Sequence, residues 1–244
     1  MTYVEWPRRV SALGQFRVED PNRPVLERDD EHHLRVVLRA RQGDEVVVTD
    51  GGGAWSLCQV GEVGLNRITP VHVDPPTPTT TLYLVPLKGD RSEWAVAKAT
   101  ELGVSRIVPL VSERLVVKFS GDARTKIVTR WRRIAKESCG QCRRTFDVVV
   151  DDPVHVRDVH VSVAVADFTG DGVWTGVREV AVGPEGGWAP EEWSGQHRRL
   201  SLGPTVLRAE TAGVVAASLL AFGAGDWGFT LGASPPVTLT TTHD

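Results

Sequence analysis

Apolar and polar positions alternate differently in the two parts of the chain. In the first part, short β-prone runs at Glu45–Thr49 and Trp55–Val60 flank Asp50-Gly51-Gly52-Gly53, which predicts a hairpin around a glycine-rich turn. Further β segments are predicted near Phe16–Val18 and Ile68–Val73, and Leu34, Val37 and Leu38 stand at helical spacing within a short helix over Asp30–Arg41. Together these predict a small β-barrel with one helix over residues 1–74. Pro75, Pro76 and Pro78 then exclude helix and interior strand, so 75–81 is predicted to be a Pro/Thr linker.

Beyond the linker, apolar runs at Leu82–Leu87, Arg106–Leu110, Asp147–Val150, Val161–Ala166, Glu179–Val182 and Arg199–Leu202 predict strands. Helices are predicted between several of them. Asp90 to Glu93 offers a cap for Trp94–Leu102, which Gly103 ends. Asp122–Cys139 gathers Ile127, Val128, Trp131, Ile134 and Ala135 on one face, and Ala209–Phe222 is apolar nearly all round, hence buried. Strands alternating with helices imply an α/β fold with a mostly parallel sheet covered on both sides. This second unit is assigned to 82–231, followed by a Pro- and Thr-rich tail, 232–244, expected to be disordered.

With 41% hydrophobic and 24% charged residues, the chain has globular composition rather than that of a disordered protein. The uncharged stretch Thr211–Gly225 falls short of the roughly 18 apolar residues of a membrane span. The start, Met1-Thr2-Tyr3-Val4-Glu5-Trp6-Pro7-Arg8-Arg9, lacks the apolar core of a signal peptide. Three cysteines cannot build a disulfide framework. The expectation is a soluble cytoplasmic protein with no membrane partner.

The net charge of −3 conceals an asymmetry. Arg114–Arg144 holds ten Lys and Arg against Asp122 and Glu137, a net +8, whereas 18 basic and 29 acidic residues elsewhere leave −11. Such a block suits a polyanionic partner through counterion release, with Arg130, Arg132 and Arg133 as candidate phosphate contacts. A solvated helix face explains the charge alone equally well.

Three motifs fail on context. Cys139 and Cys142 with His155 and His160 have zinc-finger spacing, but the first pair closes a basic helix, and Pro153 and the Val-rich run do not support a helix carrying both histidines. No metal is therefore expected. A redox Cys-x-x-Cys would open its helix, not close it. Gly223-Ala224-Gly225-Asp226-Trp227-Gly228 matches a dinucleotide fingerprint, yet it follows a helix instead of a strand. No lysine precedes Ser or Thr, so a Walker A motif is also absent.

Two glycine-bearing loops sit where ligands bind in open α/β sheets, just beyond strand carboxyl ends. The first is Gly183-Pro184-Glu185-Gly186-Gly187-Trp188; the second is Leu202-Gly203-Pro204-Thr205-Val206-Leu207-Arg208-Ala209-Glu210-Thr211. Each alone could be a tight turn. Together, beside a basic helix, they suggest a nucleoside-type ligand held mainly by main chain.

These loops, with Lys88-Gly89-Asp90-Arg91, Lys98-Ala99-Thr100-Glu101-Leu102-Gly103-Val104 and Ser112-Glu113-Arg114, resemble the bacterial 16S ribosomal RNA uracil-N3 methyltransferases of the SPOUT superfamily. The motifs occur in that family's order over about residues 80–223 and are specific in combination. His32-His33-Leu34-Arg35-Val36-Val37-Leu38-Arg39 and Gly43-Asp44-Glu45-Val46 resemble more loosely its PUA-like RNA-binding barrel. The resemblance implies a trefoil-knotted α/β domain, a homodimer, S-adenosylmethionine as cofactor, and 16S rRNA within the 30S subunit as partner. It implies cofactor contacts from Gly183, Pro184, Glu185, Gly186, Gly187, Leu202, Gly203, Leu207 and Arg208. RNA contacts are implied for His33, Arg35, Arg39, Lys88, Arg91, Lys98 and Arg114. The family's compact Arg-Phe-Phe-like opening strand is missing, since Ser11-Ala12-Leu13-Gly14 follows Arg8-Arg9-Val10.

Methylating uracil N3 requires loss of a weakly acidic N–H while an electrophilic methyl is held in line. Arg208, permanently charged, is the best candidate to stabilise charge on the ring carbonyls, with a phosphate or carboxylate anchor as its plainer role. Glu210 is a candidate base, though a first-turn Glu more often serves the helix end. Lys98 and Glu101, three apart, can simply pair. Methylation of another rRNA or tRNA base, and a non-catalytic RNA-binding assembly factor, are the competing readings.

Overall fold

A computed structural model describes residues 6–223. The expected tail at 232–244 and the glycine motif from Ala224 onward lie outside the described residues.

The N-terminal unit begins with α1 (Trp6–Ser11), which the periodicity did not predict because six residues are too few to show a helical repeat. Strand β1 (Gln15–Arg17) pairs in parallel with β2 (Glu45–Thr49), which forms the predicted hairpin with β3 (Ala54–Val60). β3 pairs along one half with β4 (Leu65–Arg67) and along the other with β5 (His72–Val73). Of the expected strand at Ile68–Val73 only His72–Val73 is strand, and β4, ending at Arg67, precedes it. Helix α2 (Arg28–His32) runs into a π-turn over His33–Val37 and stops where Arg39 adopts φ +54°. Leu34 from this segment is fully buried against Phe16, Val46, Val48 and Cys58, so the helix and side-chain packing complete the small β unit.

The second unit contains β6 (Thr81–Leu84), α3 (Arg91–Glu101), β7 (Arg106–Val111), α4 (Gly121–Gln141), β8 (Val149–Val150), β9 (Val154–His155), β10 (Ala164–Asp171), β11 (Glu179–Val182), β12 (Arg199–Leu200) and α5 (Ala209–Gly223). Its sheet has the order β12-β10-β11-β6-β7-β8, with β9 also on β7, and every ladder is parallel. Thr80 and Thr81 are buried, and Thr81 already belongs to β6.

Helix α4 buries Val128, Trp131, Ala135 and Cys139 along one stripe, the spacing of an amphipathic helix. Helix α5 buries small residues, Ala209, Gly213, Ala216, Ala217 and Ala221, together with Leu220. Leu82, Leu84, Val180 and Val182 from the central strands meet Ala216 and Leu220 in the main core. No described helix is long and apolar enough to cross a membrane.

The units join at the corner after α4. Asp74 Oδ2 accepts hydrogen bonds from Arg9 Nη1 and Thr145 Oγ1, both at 2.7 Å, and its Oδ1 accepts from Trp55 Nε1 at 3.0 Å. Gly53 N–H donates to Thr145 O (3.1 Å) and Asp147 N–H to Gly51 O (2.9 Å). A cleft of about 740 Å³ opens at this junction, with Arg17, His33, Arg133 and Lys136 among its walls. The thiols lie at the end of α4, as the sequence places them. Burial pushes Cys139 up to about 11 and Cys142 upward as well, so neither is a thiolate at neutral pH.

Candidate active site

Parallel strands direct their carboxyl ends to one side of the sheet, and the exits of three of them enclose a cavity of about 380 Å³. β10 supplies Ala166, Asp167 and Phe168; β11 leads into Gly183–Trp188; the chain after β12 supplies Leu202, Gly203 and Thr205–Leu207; and α5 supplies Ala209 and Ala212. The volume lies in the range of a small-molecule pocket. The larger junctional cleft carries charges of both signs that already pair, such as Arg17 with Asp147 and Arg133 with Glu137. Both glycine loops line the smaller cavity.

The first loop is fixed from several directions. Gly187 N–H donates to Pro184 O at 2.9 Å, closing a turn in which Gly187 takes φ +68°. Trp188 folds beneath it, with Nε1 donating to Ala166 O at 3.0 Å, and a Cβ on Gly183 would stand 2.9 Å from the Trp188 ring. Glu192 accepts from Ala189 N–H (2.9 Å) and Glu113 N–H (2.7 Å), and Arg114 Nη1 donates to Gly186 O at 2.8 Å. Arg91 forms an ion pair with Glu185. In the second loop Gly203 adopts φ +125° with open space on its Cβ side. Strand β10 is anchored where Asp167 meets Arg199 at 2.5 Å and accepts from Thr169 N–H and Oγ1. Burial would raise the Asp167 carboxyl, but those hydrogen bonds and Arg199 outweigh it and hold it below its ordinary range.

The cavity therefore has apolar walls (Phe168, Val182, Leu202, Val206, Leu207), main-chain donors and acceptors from two glycine loops, and two carboxylates, Asp167 and Glu185. That set fits a nucleoside-type ligand, with apolar surface for the rings and main chain for their polar edges, while both acids are already paired, Asp167 with Arg199 and Glu185 with Arg91.

Of the residues expected to hold the cofactor, Gly183, Pro184, Glu185, Gly186, Gly187, Leu202, Gly203 and Leu207 all line the cavity. Arg208 does not; it is exposed between the lining residues Leu207 and Ala209, and its side chain has no described partner. Glu210 lies behind the wall. Its Oε2 is buried, makes no hydrogen bond, and stands 4.0 Å from Arg91 Nη1.

The expected RNA contacts divide. Arg91 and Arg114 are drawn onto the first loop, and Lys98 pairs with Glu101 at 2.8 Å. Arg35 is held by Glu31 (3.0 Å) and by Gly61 O (3.1 Å). His33 lies edge-on to Phe16, their ring centroids 6.2 Å apart, in the junctional cleft. Arg130 pairs with Glu93 at 3.1 Å, two residues from Arg91, so the basic face of α4 begins next to the site. Arg132 pairs with Asp152 (2.9 Å) and Arg133 with Glu137 (3.1 Å). Lys88 and Arg39 are exposed without a described side-chain partner.

Sequence reasoning missed Phe168, Asp167 and Glu192. The apolar run it read as a strand stops at Ala166, while the observed strand continues to Asp171. Only the fold carries that extension past the first glycine loop.

Known proteins share this architecture. The RNA methyltransferase domain family matches residues 73–221, and the RNA methyltransferase PUA domain family matches 26–69. Ribosomal RNA small subunit methyltransferase E of Mycobacterium bovis is 32% identical, over 79% of this chain and 83% of its own length. The Bacillus subtilis protein of the same name is 25% identical, over 86% and 94%. A Legionella pneumophila structure solved with bound S-adenosylmethionine superimposes with TM-score 0.74 at 29% identity, covering 84% of this chain and 96% of that one.

Proposed function

Since the chain belongs to the RNA methyltransferase family that contains ribosomal RNA small subunit methyltransferase E, we propose that it methylates N3 of one uridine in 16S rRNA, within the assembled 30S subunit. It is an S-adenosylmethionine-dependent methyltransferase acting on small-subunit rRNA. The observation that supports the methyltransferase reading is the cavity at the exits of β10, β11 and β12, lined by two glycine loops. When bound there, S-adenosylmethionine supplies an electrophilic methyl group on a positively charged sulfur.

The chain's own residues do the rest. Main-chain groups of Gly183–Gly187 and Leu202–Gly203 orient the bound ligand, and Asp167 and Glu185, paired with Arg199 and Arg91, hold β10 and the first loop in place around it. In this proposal Arg208, exposed beside the lining residues with no described side-chain partner, stabilises negative charge on the uracil carbonyls as the N3 proton leaves to solvent. Glu210, facing Arg91 rather than the cavity, acts in this proposal by holding Arg91 and the first loop. Lys88, Arg39 and the exposed face of α4 at Arg130, Arg132 and Arg133 form the phosphate-contacting surface, with the N-terminal unit and His33 extending it. A homodimer, the knotted threading of the second unit and a cytoplasmic location belong to the same proposal.

Mass-spectrometric mapping of rRNA from a strain lacking the protein tests the target. Loss of 3-methyluridine from 16S rRNA is expected; loss of a different modification would replace the substrate. Calorimetry with S-adenosylmethionine and S-adenosylhomocysteine tests the enzyme, and failure to bind either would favour a non-catalytic assembly factor.

A further inference from the structure

The ring of Phe168 stands at the rim of the cavity with 69% of its surface exposed. Its neighbours in the wall differ. Val182, Pro184 and Ala209 are buried, and Trp188, Leu202 and Leu207 are partly covered. Among the apolar side chains that line the cavity, Phe168 and Val206, the latter 83% exposed, are the two that face outward from it.

The backbone carrying this ring is rigid. Ala166 O accepts from Trp188 Nε1 at 3.0 Å, Asp167 Oδ1 accepts from Thr169 N–H at 2.8 Å and Oγ1 at 2.7 Å, and Asp167 is also paired with Arg199. A singly exposed ring is common on protein surfaces; what distinguishes this one is its place in the lining of the cavity, on a strand segment hydrogen-bonded on both sides of it. The inner wall serves the cofactor, so the outward-facing rim meets what arrives from outside. The N3 edge of a pyrimidine is unreachable while the base is stacked and paired, so the reacting base has to be extruded, and an extruded base exposes two π-faces that aromatic side chains stack upon.

We propose that Phe168 is the platform on which the extruded target base stacks beside the cofactor cavity. It is a positioning residue for the methyl acceptor. The inference rests on the reading of the chain as a base methyltransferase, but not on which base is modified.

The experiment compares wild type, Phe168→Ala, Phe168→Tyr and Phe168→Trp on 30S subunits purified from a strain lacking the protein. It measures KM and single-turnover rate, S-adenosylmethionine affinity by calorimetry, and oligomeric state by sedimentation. Phe168→Ala should raise KM for the subunits about ten- to a hundred-fold, the range expected when one base–aromatic stack is removed. Cofactor affinity should stay within about three-fold and sedimentation should not change. Tyr and Trp should restore most of the loss, because either ring supplies a π-face. Cofactor affinity falling in step with KM would overturn the inference in favour of a cofactor wall. An altered oligomeric state would assign the ring to a subunit contact, and unchanged kinetics would remove its role altogether. The nucleoside made by wild type, read by mass spectrometry, separately decides the functional reading.

Discussion

Arg91 Nη1 lies 4.0 Å from Glu210 Oε2 while the same nitrogen pairs with Glu185. One guanidinium at the start of α3 thus ties the first glycine loop to the first turn of α5. Both carboxylates come from segments that also supply cavity wall, so the pair sets the spacing between the two loops.

Arg91→Ala should therefore act on cofactor binding, weakening S-adenosylmethionine about ten-fold, the size of one charge-assisted hydrogen bond of roughly 1.4 kcal/mol. Arg91→Lys should recover most of it, because both carboxylates face one nitrogen, Nη1, and an ammonium supplies one such charged donor. Calorimetry gives the affinity. A changed salt dependence of RNA binding with unchanged cofactor affinity would instead make Arg91 a phosphate ligand.

Arg208 should behave oppositely. With its side chain free of described partners, Arg208→Ala should leave cofactor and RNA affinities within several-fold of wild type. Single-turnover methyl transfer should slow about 100–1000-fold, the usual cost of removing one charge-stabilising donor. An unchanged rate with weaker RNA binding would demote it to an anchor.

The loop glycines are not equivalent. Gly203 at φ +125° resists any side chain, whereas Gly186 is not left-handed and its Cβ direction meets only Arg114 Cδ, at 3.9 Å. Gly203→Ala should cost about 1 kcal/mol or more in stability and weaken the cofactor. Gly186→Ala should fold normally. Thermal melts with and without S-adenosylmethionine separate the two effects.

Replacing Arg130, Arg132 and Arg133 by Ala should flatten the salt dependence of RNA binding by roughly 0.7–0.9 in slope for each phosphate left without its cation. Stability should hardly change, since exposed ion pairs such as Arg133–Glu137 contribute about 1 kcal/mol or less. A wild-type slope in the triple variant would move the RNA path off α4.

Asp74 makes the junction between units pH-dependent. Burial would raise its carboxyl, but hydrogen bonds from Thr145 and Arg9, the charge of Arg9 and the Trp55 N–H outweigh that and lower it. A carboxyl lowered by folding contributes stability that is present above its ordinary value near 4 and is lost as pH falls through the folded value. Asp74→Asn should destabilise by roughly 3 kcal/mol, because Arg9 is buried and loses its counter-charge. The variant's stability should also fall less steeply below pH 4 than wild type, as denaturant melts across pH would show.

The elements were largely legible in the sequence because they follow local rules. Short apolar runs mark β2, β3, β7 and β11; one apolar stripe marks α4; an all-apolar run marks α5. Gly and Pro after two strands mark the two loops that line the cavity, since glycine permits the backbone angles their turns require. Tertiary structure decided which residues meet. Arg114 reaches Gly186 across 72 positions, and β10 sits between β11 and β12, which delivers Phe168 and Asp167 to a cavity whose other walls begin at Val182. Strand periodicity states which face of a strand is buried but not which strand lies beside it. In a parallel sheet that neighbour order alone decides which carboxyl ends, and so which side chains, share a site.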